Sequence, residues 1–325
     1  MPRVVIFDEP GDPEVLRIVE EPIADPGPNE VRIRIEAFAV NRLDQMARSG
    51  ASPRPIRLPH ARLGIEGTGM IDAIGPQVEG IAVRDAVMIA ALPDADVRGS
   101  YAEYTVVPAT AVVPRPAGSS VIDAAALWVS YSTAYGALVE KAGMRPGDSV
   151  LITAASSSVG LAAIQIANQI GAVPIAVTSH SAKRDALLAA GAVAVIAAEE
   201  ENVVTAARRH TGGTGVDIIL DSVMGPGLAE LATAAKFGGT LITVGWLDPR
   251  PASFPSNALT IHRYMSFEHT LDPVVVRRIA AFLGAGLRFG ALKPTVDTVF
   301  TFEDVVEAHR HLEKGQQVGK IVVTV

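Results

Sequence analysis

Residues 148–178 read DSVLITAASSSVGLAAIQIANQIGAVPIAVT: an apolar strand, a turn of small residues, an apolar-periodic helix and a second apolar strand. That order is one βαβ unit, and its turn is where a dinucleotide pyrophosphate is expected to sit. The turn TAASSSVG keeps one glycine, Gly160, so a strict G-x-G-x-x-G search fails. A phosphate needs backbone N–H groups at a helix N-terminus and side chains small enough to let it approach. Ala155, Ser156, Ser157 and Ser158 are all small, and serine hydroxyls can themselves donate. Val159 leads into Gly160, which keeps the helix close to the sheet. An ordinary Ser-rich helix cap is the alternative reading of the same turn.

The end of the second strand bears on the cofactor. NAD-preferring folds place an acid there for the ribose diol. Here AVTSHSAKRD puts Thr178, Ser179 and His180 at that point, with Lys183 and Arg184 close behind. Such a pocket tolerates or prefers a 2′-phosphate, which favours NADP. Decoration of a helix's solvent face is the equally weighted alternative for the two cations.

From this unit the pattern extends downstream. Helices over 182–190, 201–210 and 226–235 alternate with the strands AVAVI, VDIILD and GTLITVG. This is the βαβα order of a parallel, doubly wound sheet. A Pro-rich loop follows Trp246, then a strand, a helix at 272–286, a strand, a helix at 303–313 and a last strand KIVVTV. These late elements are too few for a third domain and are expected to pack back onto the first. Upstream, 121–143 reads as helix ended by Gly143, and before it the chain is strand-rich. In EVRIRIEAF, Val31, Ile33 and Ile35 alternate with Arg32, Arg34 and Glu36, the period of a half-buried antiparallel strand. NRLDQMARSG at 41–50 is a short helix closing on Gly50.

Composition narrows the class. A length of 325 residues makes two domains the prior expectation. Nearly half the residues are apolar (49%) and 19% are charged, a globular balance. The net charge of -7 lacks the basic footprint of a nucleic-acid binder. Cysteine is absent, which excludes disulfides, thiolate metal sites and a Cys nucleophile. MPRVVIFDEPGDPEVL has acids where a signal peptide needs an apolar core, and no run has the roughly 18 apolar residues of a spanning helix. A cytoplasmic protein without a membrane partner is expected. No G-x-S-x-G elbow supports a hydrolase.

Several blocks in order resemble the medium-chain dehydrogenase/reductase superfamily, and within it the zinc-free quinone oxidoreductase branch that includes zeta-crystallin. NRLDQMARSG is similar to N-x-x-D-x-Y-x-R-x-G, and GIEGTGMIDAIG at 64–75 to G-x-E-x-x-G-x-V-x-x-V-G. GSYAEYTVVP, AAALWVSYSTAYGAL, the turn segment around A-x-x-G-x-x-G and the ending EAHRHLEKGQQVGKIVV fit in turn, so the resemblance covers essentially the whole chain. It implies an α/β chain with a Rossmann-type doubly wound parallel-sheet domain at 123–263. A GroES-like, strand-rich catalytic domain at 1–122 and 264–325 completes it. The positions of the family's catalytic zinc ligands hold Asn41, Ile65 and Val129, so no metal is implied.

The resemblance further implies NADPH-dependent hydride transfer to a small apolar quinone or other α,β-unsaturated carbonyl by a homodimer. Asn41 would face nicotinamide and substrate, and Thr133 the carboxamide side. Ser156–Val159 would hold the pyrophosphate; Ser179, His180 and Lys183 would surround the 2′-phosphate. Trp246, Leu247, Phe267 and His269 would line the nicotinamide side, and Lys320 would close over the phosphates. GTLITVG would form the sheet edge that pairs across the dimer. Met46 stands where the family often has Tyr, and a thioether cannot replace a phenol as proton donor. Asp44 and Arg48 remain as polar candidates for catalysis or for bracing their helix. Zinc-free alcohol or carbonyl redox, and a catalytically weak NADPH-binding protein, are the competing readings.

Overall fold

The computed structural model describes residues 1–325. Two compact units share the chain: Met1–Val129 with Thr270–Val276 and Pro294–Val325, and Ser130–His269 with Arg277–Lys293. The division therefore falls seven residues after the expected 122. It also assigns Arg277–Lys293 to the nucleotide unit. There the ring of Phe282 packs on Tyr135 at 4.8 Å, and its carbonyl accepts from Gln169 Nε2.

The first unit begins with β1 (Arg3–Phe7), β2 (Arg17–Glu20), β3 (Glu30–Val40), helix α1 (Arg42–Ser49), β4 (Ala61–Arg62), β5 (Gly67–Ile74) and β6 (Ala86–Ile89). A one-turn α2 (Ala95–Arg98), β7 (Tyr104–Pro108), β8 (Val112–Pro114) and α3 (Val121–Ala125) follow. Its long strand β3 shows the alternation that its sequence predicts: Val31, Ile33 and Ile35 are at most 2% exposed, while Arg34 faces solvent. Burying that apolar row against Phe7, Leu63, Tyr101 and Phe302 builds this unit's core, at about 1.5–3 kcal/mol per large side chain.

α4 (Trp128–Tyr135) leads into the second unit, where β9 (Ser149–Ile152), α5 (Ser158–Ile170), β10 (Val173–Thr178), α6 (Arg184–Ala189), β11 (Ala194–Ala197) and α7 (Val203–His210) alternate. β12 (Val216–Asp221), α8 (Leu228–Ala232), β13 (Ala235–Thr243), β14 (Thr260–Arg263) and α9 (Phe267–Thr270) follow, then α10 (Pro273–Arg288). All six strands run parallel in the order β11-β10-β9-β12-β13-β14. Counting from β9 this is the 3-2-1-4-5-6 winding of dinucleotide-binding sheets, and the switch point lies between β9 and β10 on one side and β12 on the other.

Three local expectations change. GTLITVG is not the sheet edge, because β14 pairs alongside it from Thr240↔Thr260 to Thr243↔Arg263. The helix expected over 226–235 is cut to α8, since Val216 pairs with Ala235 and draws that residue into β13. The helix expected over 121–143 breaks after α3, and after α4 it widens into a π-turn at Gly136–Lys141. A Cβ at Gly136 would collide with the Tyr264 hydroxyl, so glycine permits that close approach. The chain then returns to the first unit with β15 (Val296–Thr301), α11 (Val305–Lys314) and β16 (Lys320–Thr324). β16 pairs antiparallel with β3 from Ile321↔Val40 to Thr324↔Ala37, which places Lys320 beside the start of α1. No helix is long and apolar enough to cross a membrane.

Candidate active site

The nucleotide turn forms at the carboxyl end of β9. Ala154 takes φ +46°, a left-handed conformation that glycine adopts more readily, and Ala155 N–H donates to Val177 O at 3.0 Å. Ser157 is the N-cap of α5, its Oγ accepting from Gly160 N–H at 3.1 Å. The amides of Ser158 and Val159, in the first turn of α5, make no hydrogen bond within this unit. Those groups and the positive end of a 13-residue helix suit an anion. A Cβ on Gly160 would lie 2.5 Å from Ala155 O and 2.6 Å from Ala155 Cα, so only glycine lets α5 press on the turn. The serine for glycine at 157 is thus the cap of the helix.

Beneath the turn lies a contact that the sequence did not single out. Thr153 Oγ1 donates to Asp221 Oδ1 at 2.7 Å and accepts from Ser222 N–H at 2.9 Å. Asp221 also receives the amides of Val223 (3.2 Å) and Met224 (2.7 Å). Burial pushes its carboxyl above the usual range against those donors. This joins the ends of β9 and β12 on either side of the switch point.

At the end of β10, Thr178 is buried and its hydroxyl donates to His180 O at 3.2 Å. Ser179 and His180 are exposed. Lys183 Nζ reaches Ser156 Oγ at 3.3 Å, tying the basic segment to the phosphate turn. Arg184 is drawn elsewhere, to Val195 O at 2.7 Å and to Glu200. The acid that the sequence lacks at this strand end arrives from the neighbouring one: Glu199, two residues past β11, accepts from Ser181 N–H at 2.6 Å and Ser181 Oγ at 2.9 Å. It lies 2.8 Å from His180 Nδ1. Parallel pairing supplies the signal, since Ala198 N–H donates to Thr178 O at 2.9 Å and so aligns the two strand ends.

Trp246 and Leu247 follow β13, and Phe267 and His269 follow β14, so all four lie past the carboxyl ends of adjacent parallel strands. The Arg263 guanidinium sits 4.8 Å over the Trp246 ring. His269 Nδ1 lies 3.1 Å from the Tyr264 hydroxyl, and Leu247 is largely exposed. Thr133 is buried in α4.

The first unit holds a buried polar cluster. Lys320 Nζ donates to Asn41 Oδ1 at 2.6 Å and pairs with the Glu66 carboxylate; Lys320 is 2% exposed and Glu66 1%. Asn41 Nδ2 donates to Ala39 O (3.2 Å) and Glu66 Oε1 (3.0 Å). The Val129 amide donates to Glu66 Oε2 at 2.9 Å. Lys320, expected over the phosphates, is thus committed to a buried carboxylate by its place in β16. Asn41 likewise has both ends of its amide engaged.

Asp44 accepts from Asn41 N–H (2.9 Å) and Gly64 N–H (3.0 Å), and burial pushes its carboxyl up to about 6. Arg48, 0% exposed, donates to Gly11 O and pairs with Glu313, with Nε 3.4 Å from His309 Nδ1. Asp44 and Arg48 both brace α1 against its neighbours. Met46 lies on the same helix and is half-buried.

Comparison with known proteins supplies the family. Residues 190–323 match a model described as zinc-binding dehydrogenase, and residues 27–117 match the alcohol dehydrogenase GroES-like domain. Human quinone oxidoreductase is 30% identical over 327 aligned residues, covering 99% of this chain and 97% of that protein. The chain belongs to the medium-chain dehydrogenase/reductase family. Among solved family structures, an Escherichia coli quinone oxidoreductase complexed with NADPH is similar at 26% identity and TM-score 0.92, covering 99% of this chain and 100% of that one. An NAD-dependent alcohol dehydrogenase is similar at 32% identity and TM-score 0.86, covering 99% of each. The zinc of the family model's description has no donor set here: the chain has no cysteine, and no three His, Asp or Glu side chains group to hold a metal.

Proposed function

We propose that the chain is an NADPH-dependent reductase that transfers a hydride, without a metal, to a quinone or another α,β-unsaturated carbonyl. The observation that carries this is the pair of open amides, Ser158 and Val159, ahead of Gly160 at the switch point of a 3-2-1-4-5-6 sheet. The quinone oxidoreductase relatives and the NADPH complex of the similar Escherichia coli enzyme support it.

NADPH, when bound, supplies the hydride. The chain's part is to bind, orient and shield. Ser156, Ser157, Ser158 and Val159 receive the pyrophosphate, with Gly160 holding α5 close. Thr178, Ser179, His180 and Lys183 receive the adenosine ribose and its 2′-phosphate. Trp246, Leu247, Phe267 and His269 line the nicotinamide side, and Thr133 serves the carboxamide. In the first unit Asn41, oriented by Lys320 and Glu66, is the substrate-facing polar group, and Asp44 and Arg48 keep α1 in place. Met46 cannot donate a proton, so the acceptor that suits this chain is one whose reduced oxygen can be protonated by water. A quinone meets that condition.

The test is a fluorescence titration with NADPH and NADH, then NADPH oxidation followed with 1,4-benzoquinone, 9,10-phenanthrenequinone and an α,β-unsaturated ketone. Turnover with the quinones is expected. NADPH binding without turnover of any acceptor would leave a binding protein in place of an enzyme.

A further inference from the structure

Three consecutive acids follow β11, and they are not used alike. Glu200 pairs with Arg184 and Glu201 with Arg209, each a surface ion pair of the helices at hand. Glu199 turns the other way, onto the end of β10. Its Oε1 accepts from the Ser181 amide (2.6 Å) and hydroxyl (2.9 Å), and its Oε2 lies 2.8 Å from His180 Nδ1. Because a carboxylate only accepts, the proton of that imidazole contact lies on Nδ1. Three donors of the strand end are thus held by one carboxylate.

Resting on the cofactor reading above, we propose that Glu199 is the residue that sets discrimination between NADPH and NADH. The ribose 2′ position of a bound dinucleotide is expected at the end of the second strand of this winding. A 2′-phosphate there seeks N–H and O–H donors, and to reach His180 and Ser181 it must first displace the Glu199 carboxylate that holds them. It would also bring close to two negative charges beside a carboxylate. The hydrogen bonds from His180 and Ser181 hold that carboxyl down at about 2, so it is ionised at any working pH. A free 2′-hydroxyl, by contrast, can donate to Glu199. Lys183, held at Ser156, works in the opposite sense by favouring the phosphate. Preference for NADPH is therefore a balance in which Lys183 pulls toward phosphate and Glu199 pulls away from it.

The experiment measures Kd for NADPH and NADH, and for 2′,5′-ADP and 5′-AMP, on the native chain and on Glu199→Ala and Glu199→Gln. Glu199 is exposed on a turn, and melting temperatures of both variants check that they fold. The expected result is an NADPH Kd lowered about tenfold, equivalent to about 1.4 kcal/mol, with the same gain for 2′,5′-ADP. Affinity for NADH and 5′-AMP should stay within about twofold or weaken. A ratio of NADPH to NADH affinity unchanged in both variants overturns the role of Glu199 while leaving the cofactor reading standing. A native chain that binds neither dinucleotide overturns both.

Discussion

Lys320 Nζ donates to Asn41 Oδ1 at 2.6 Å while its charge is matched by Glu66, all three side chains being under 9% exposed. Lys320 opens the last strand and Asn41 lies 279 residues earlier, at the head of α1. Removing the ammonium would leave Glu66 as an uncompensated buried charge, which typically costs about 3–5 kcal/mol. Lys320→Met should lose stability on that scale in urea denaturation. Adding Glu66→Gln should restore a large part of it, because the buried charge goes with its partner. A double variant no more stable than Lys320→Met would refute the pairing as the source of the loss.

At the phosphate turn the decisive contact is steric. A methyl at Gly160 meets the Ala155 carbonyl and Cα, both backbone atoms that cannot move aside as a side chain could. Gly160→Ala should therefore lift α5 from β9 and spoil the aim of the Ser158 and Val159 amides. NADPH affinity should fall at least about tenfold, some 1.4 kcal/mol, by fluorescence titration. Ser157→Gly keeps the small size that approach requires and should cost only a few tenths of a kcal/mol in stability, as N-cap replacement by glycine does.

Local pattern carried the fold a long way. Alternation in Val31, Ile33 and Ile35, the 158–170 helix and the βα alternation after Ser149 are short-range signals, and each is found where the pattern puts it. What pattern did not carry are contacts closed by topology. Asp221 meets Thr153 across 68 residues, and Glu199 meets Ser181 only because β11 lies beside β10. Lys320 reads as an ordinary lysine before an apolar strand until the pairing of β16 with β3 buries it. The sheet edge differs for the same reason: the strand expected after the Trp246 loop does not pack back onto the first domain but pairs, as β14, alongside β13.

Met46 offers a gain-of-function test of the proposed chemistry. It is half-buried on α1 and has no group that can donate a proton. Met46→Tyr should raise kcat for an α,β-unsaturated ketone, which needs a proton on carbon, by about two orders of magnitude, the low end of what general acid catalysis supplies. Quinone reduction should change little. An unchanged ketone rate would show that the missing hydroxyl is not what limits that substrate.

Two buried groups, Asp44 and His309, the latter 3.3 Å from the Tyr101 hydroxyl and 3.4 Å from Arg48 Nε, predict two opposite pH responses. Burial, helped by the Arg48 charge, pushes His309 down to about 3, so it is neutral in the folded chain. Its contribution is fully present above the unfolded value near 6.5 and is lost as pH falls from there toward 3. Asp44 has the reverse sign. Burial raises it from 3.8 to about 6, so its ionisation costs stability above pH 6, and that cost is relieved as pH falls toward 4. Between pH 6 and 4 the two nearly offset, each changing by at most about 1.4 kcal/mol per pH unit. Urea unfolding of the native chain, His309→Gln and Asp44→Asn across this window separates them. Relative to the native chain, His309→Gln should gain stability as pH falls and Asp44→Asn should lose it. Parallel curves for all three would mean that neither group titrates between folded and unfolded states as its burial requires.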